Sequence, residues 1–163
     1  MNKSALPDIF LAFAISCALL ASGALAHAPL TPDNNESLAT AKLITDPTKS
    51  WAIYGELHEG GEAQYYRFNI TKGQRIHVML FKSTSPENTE FLPGFVLMGP
   101  GISEQGDKPD YVEMPLDAKA LVAEGKQPSR ATYEPFSPSS FYSLAETALD
   151  APASAVYYIA VYE

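Results

Sequence analysis

From Trp51 onward, apolar side chains recur at every second position, a period that a strand satisfies and a helix does not. Trp51, Ile53 and Leu57 share one face of the first such run. In the second, Gln64 to Ile70, the residues Tyr66, Phe68 and Ile70 point one way, and Tyr65, Arg67 and Asn69 the other. In the third, Arg75 to Phe81, Ile76, Val78 and Leu80 turn inward and His77 lies on the outer face. The runs are separated by Glu59-Gly60-Gly61-Glu62 and Thr71-Lys72-Gly73-Gln74, short turns suited to hairpins. Three strands joined by short glycine turns predict an antiparallel meander.

The rest of the mature chain carries the same signature more weakly. Phe95-Val96-Leu97-Met98 is a short buried strand ended by Gly99-Pro100-Gly101. Ile102 to Pro115 is irregular. Ala120–Val122 and Ala131–Tyr133 are strand candidates around the turn Glu124-Gly125-Lys126, followed by a Pro/Ser/aromatic loop from Glu134 to Leu144. Val156 to Tyr162 closes the sheet with β-branched and aromatic residues. Upstream, Ala28 to Asn35 is extended or loose, Glu36 to Ala41 suits a short helical turn capped by Asn34 or Asn35, and Asp46 to Lys49 is a turn. The expected class is all-β, an antiparallel β-sandwich over residues 51–163 behind a leader at 27–50.

Residues 1–26 have the layout of a signal helix. Lys3 supplies positive charge, an apolar run spans Ile9 to Ala21, and Ala24-Leu25-Ala26 offers small residues for cleavage before His27. The alternative is an uncleaved membrane anchor, because the 18 residues from Ile9 to Ala26 reach the lower length limit of a bilayer span. Cys17 lies inside the apolar run instead of at its end, which argues against a lipoprotein. Either way the chain is expected outside the cytoplasm, secreted or at the cell surface. The end at Glu163, directly after a strong strand, reads as a truncated frame in which a C-terminal anchor or domain is missing.

Cys17 is the only cysteine, so the domain after residue 26 contains no disulfide, thiolate nucleophile or cysteine-bound metal. Lys3 and Asp8 leave together, and the net charge of −8 is unchanged by cleavage. The remaining basic residues form no cluster, which excludes nucleic acid as a partner. A protein or glycan at the cell surface is the expected partner.

A cadence in the first half carries a resemblance. Asp33-Asn34-Asn35-Glu36-Ser37-Leu38-Ala39-Thr40-Ala41 precedes a strand, followed by Gly55-Glu56-Leu57, then Gly60 to Phe68, then Lys72-Gly73-Gln74-Arg75-Ile76. With the closing Val156-Tyr157-Tyr158-Ile159-Ala160-Val161, this resembles the bacterial and archaeal pre-peptidase C-terminal (PPC) domain. It is also similar to exported proteins of methanogenic archaea. The match covers residues 33–81 and 156–162. It implies a jelly-roll-like sandwich, usually a non-catalytic appendage of secreted enzymes or surface proteins. Where the family has two aspartates before its tyrosine, this chain has Glu62 and Gln64.

The candidate chemistry is sparse. No G-x-S-x-G elbow accompanies the three histidines, and Glu56, Glu59 and Glu62 around a glycine turn suit solubility better than glycoside hydrolysis. No catalytic residue is assigned, and the expected role is binding or structural. Copper is the rival: a mature N-terminal His27 chelates Cu(II) through its amine and imidazole, with His58 or His77 as a further ligand. Calcium is a second candidate, on the oxygen donors of Asp33, Asn34, Asn35 and Glu36. The helix-cap role is preferred for those residues because it needs no ion. Tyr133, Phe136, Phe141 and Tyr142 form either a stacking platform for sugar or peptide or a plug in the open end of the sandwich, and the plug is preferred. Asn35-Glu36-Ser37 and Asn69-Ile70-Thr71 fit the N-glycosylation pattern, with Asn69 the better placed.

Overall fold

A computed structural model describes residues 27–58, 60–85, 90–134 and 139–163. The expected signal helix therefore lies outside the described residues, as does Phe136. The described residues are all-β and contain no helix. The ten strands are β1 (Ala28–Leu30), β2 (Lys42–Ile44), β3 (Trp51–Ile53), β4 (Ala63–Ile70), β5 (Arg75–Ser83), β6 (Gly94–Gly99), β7 (Lys119–Ala123), β8 (Thr132–Glu134), β9 (Ser139–Asp150) and β10 (Ala155–Tyr162). They form a five-stranded sheet β2-β4-β10-β6-β7, a three-stranded sheet β5-β9-β8 and a parallel pair β1-β3.

The alternating runs at 64–70 and 75–81 are strands, but they do not pair with each other as the meander expectation required. β4 pairs with β10 and β2, whereas β5 pairs with β9 in the other sheet. The Thr71–Gln74 turn is present, with Gly73 at φ 84° and Gln74 N–H donating to Thr71 O at 3.0 Å. It carries the chain across the core instead of back along the sheet. Across that core Phe68 and Ile70 share one buried apolar cluster with Ile76, and Val78 and Leu80 pack against it.

A second crossing runs alongside, at residues 151–154 between β9 and β10. The two crossings are tied by Gly73 N–H to Ala151 O (2.9 Å), Ala151 N–H to Gln74 O (2.8 Å) and Lys72 N–H to Ser154 Oγ (2.9 Å). Residues 63–83 and 139–162 thus make one long antiparallel ribbon folded over at its middle. Its register continues through the fold and shifts only between Leu80 and Phe81, where Leu144 is the extra residue on β9.

The core has two parts. The larger gathers Ile44, Tyr66, Phe68, Ile70, Ile76, Phe95, Leu97, Tyr157 and Ile159, with Val78, Leu80, Ala145 and Leu149 packed on it. The smaller covers the opposite face of the five-stranded sheet: Tyr65, Val96, Met98, Val122 and Ala160 beneath Val112 and Met114. The irregular stretch after Ile102 therefore serves as a lid of core on that face. This explains why β6 is buried along its whole length and shows no alternation.

The leader also differs from expectation. Its residues supply β1, parallel to β3, and β2, parallel to β4. Glu36 to Ala41 is not helical; it holds two successive tight-turn bonds, Thr40 N–H to Ser37 O and Ala41 N–H to Leu38 O. Asp46 does make its turn, accepting from Thr48 N–H and Oγ1 at 3.1 and 2.5 Å. Those bonds hold its carboxyl below the usual carboxylate range.

Candidate functional site

The acidic and amide cluster before β2 is a structural knot. Asn35 is 1% exposed, its backbone O accepts from Tyr65 N–H at 2.7 Å, and its Nδ2 donates to Tyr65 O at 3.1 Å. Asn35 thus acts on β4 as one more strand residue would, just before the β2 ladder begins at Tyr66. The turn that delivers it needs a left-handed residue, and Asn34 takes φ 49°, a conformation that Asn tolerates. The expected cap is absent, since the Asn35 side chain bonds to β4. From Tyr65 the knot continues outward. The Tyr65 hydroxyl accepts from Glu113 N–H at 2.7 Å, and Glu113 Oε2 accepts from Leu38 N–H at 3.1 Å. Burial pushes the Tyr65 hydroxyl up from its ordinary value, and Tyr66 likewise.

Of the four proposed calcium ligands, Asp33 is paired with Lys42 Nζ at 2.6 Å and its carboxyl is held low by that bond and charge. Asn34 and Glu36 are exposed at the surface. His27 is exposed, with Nδ1 2.6 Å from Ser50 Oγ. His58 stands 3.8 Å from both Glu56 and Glu62 carboxylates, and His77 Nε2 is 2.8 Å from Glu146 Oε1 on the outer face, as its alternation predicted. Among the described residues no three His, Cys, Asp or Glu side chains gather to hold a metal ion.

The aromatic candidates separate between two faces of the three-stranded sheet. Phe141 lies on the outer face, packed edge-on against Phe81 with ring centroids 6.5 Å apart. Tyr133 pairs with Ser140 and so shares the other face with Tyr142, whose ring lies 6.0 Å from Lys82 Nζ. Lys82 is buried there and donates to Phe91 O at 2.8 Å. The segment expected as a loop, Glu134 to Leu144, instead holds the start of β9, the longest strand.

The outer face adds residues that sequence reasoning had not singled out. Phe81 and Met79 are 45% and 43% exposed, and Phe81 packs against Phe141. The signal for them was the alternation itself: both fall out of phase with Ile76, Val78 and Leu80. The sequons separate as well. Asn69 is exposed at the end of β4, whereas Asn35 is sealed in the knot.

Comparison with protein-family models, with curated proteins and with solved structures gives no match to this chain. Among the described residues no helix is long and apolar enough to cross a membrane.

Proposed function

We propose that this chain is an exported, non-catalytic, jelly-roll-like β-sandwich domain of PPC type that binds a protein or glycan at the cell surface or outside the cell. The jelly-roll reading is supported by the folded ribbon, which sends both of its strands from one sheet to the other. Export is supported by the apolar run and A-x-A ending of residues 1–26.

The observation that carries the binding role is the Phe81–Phe141 edge contact on the outer face, where Phe81 and its strand neighbour Met79 are exposed and Phe141 is half-buried. A half-exposed Phe81 ring against the half-buried Phe141, on the same sheet face as the His77–Glu146 pair, matches the apolar centre and polar rim of a contact surface. The test is binding of the purified domain to the envelope fraction of the cells that express it and to a panel of polysaccharides. Phe81→Ser/Phe141→Ser should weaken binding about tenfold or more, which corresponds to about 1.4 kcal/mol. Retention of full affinity by the folded double variant would refute this surface.

A further inference from the structure

We propose that Asn69 carries an N-linked glycan in the exported protein and that Asn35, the other sequon asparagine, does not. The proposal rests on the export reading above. The atom that would carry the sugar is Nδ2, and the two asparagines present it differently. In Asn35 that nitrogen is buried and donates to Tyr65 O at 3.1 Å. A sugar there would displace one of the two bonds by which Asn35 holds β4. Asn69 is exposed on the outward face of β4, and its side chain makes no hydrogen bond among the described residues.

Three features build the Asn69 surface. The covering segment around Val112 packs on Tyr65, Val96 and Ala160, and Arg67 and Asn69, further along the same face of β4, are exposed. Thr71 is exposed at the first residue after β4, so the hydroxyl that the sequon requires lies at the sheet rim. Directly across from Asn69 in the register is Val156, 40% exposed. Facing side chains in such a pair stand about 5 Å apart at Cβ, close enough for the apolar face of a first sugar to cover the valine. Asn69, Thr71 and Val156 line one open hollow of about 350 Å³ with Ser154 and Ala155.

The donor is a polyprenyl-diphosphate-linked oligosaccharide. Asn69 Nδ2 forms a bond to C1 of the reducing-end sugar and gives up one proton. The C1–O bond breaks, and its electron pair leaves with the lipid diphosphate. Oxidation states do not change.

The test expresses the full chain in a secretory host with an N-glycosylation pathway, with a reporter sequon appended at the C-terminus. A second arm replaces residues 1–26 with a signal sequence of proven function. Protein from the medium and the secretory compartments is digested and its glycopeptides are weighed. The expected result in the second arm is a glycosidase-sensitive mass on the Asn69 peptide, lost in Asn69→Gln, kept in Thr71→Ser, with Asn35 bare in the secreted protein. A bare Asn69 beside a modified reporter overturns the proposal, as does equal occupancy of Asn35 in secreted protein. A bare reporter in the native-signal arm alone counts against export, and the second arm still decides Asn69.

Discussion

Replacing Asn35 by Ala or Asp tests whether one buried amide stands in for a strand residue. In Asn35→Ala the Tyr65 carbonyl loses its donor in a site that water does not reach, for a cost of about 1–3 kcal/mol. Asn35→Asp keeps the shape and replaces the donor with an oxygen facing Tyr65 O. The buried carboxyl should then titrate above its unfolded value, because burial and the facing carbonyl both oppose its charge. Each pH unit between the unfolded and folded values removes about 1.4 kcal/mol. A rise of two units places the Asp variant about 3 kcal/mol below its own low-pH stability at pH 7. The loss begins near the unfolded carboxyl value of about 4 and grows with rising pH until the folded value is passed. Below it, a protonated Asp can donate as the amide does, so the variant approaches wild type. Urea denaturation of the three proteins from pH 4 to 8 measures this. An Asp variant as stable as wild type at pH 7, or one that gains stability as pH rises, would refute the assigned bond.

Other outcomes follow from the packing. Gly99→Ala would drive a Cβ into the Tyr157 ring, and urea midpoints should show a loss of about 1–3 kcal/mol. Wild-type stability should fall above about pH 10, because unfolded tyrosines ionise there while buried Tyr65 and Tyr66 resist. Tyr66→Phe should reduce that alkaline loss, read by denaturation at pH 9 and 11. Phe81→Ser should cost at most about 1 kcal/mol of stability, since its ring is half in water, and a larger drop in melting temperature would place it in the core.

Strand identity was legible wherever one face is buried and the other wet. Tyr66, Phe68 and Ile70, and Ile76, Val78 and Leu80, alternate as a half-buried strand must, and β10 announces itself by its β-branched and aromatic residues. Partner choice was not legible. A short turn containing Gly73 serves a hairpin or a crossing equally well, and the decision depends on β9 and β10, far away in sequence. β9 itself was hidden because Ala145, Thr147 and Leu149 are a weak apolar set and its outward Glu146 and Ala148 suit a helix as well. Asn35 could not be separated from a cap or ligand role, since an Asn before a turn has the same local chemistry in all three. The Phe81–Phe141 contact needed the sheet, because its members come from strands 60 residues apart.

The ribbon of residues 63–83 and 139–162 also governs how the chain can fold. Its inner end, Ser83 with Phe141, closes the ribbon's shortest loop, and each later pair lengthens the closed loop by two residues, or by three at the Leu144 bulge. Loop-closure entropy rises only logarithmically, so after that first closure pairing can advance as a zipper toward Ala63 and Tyr162. Substitutions near Ser83 and Phe141 should slow refolding, and those near Ala63 and Tyr162 should mainly speed unfolding. Stopped-flow chevrons that assign these effects in reverse would show that the crossing turns pair first.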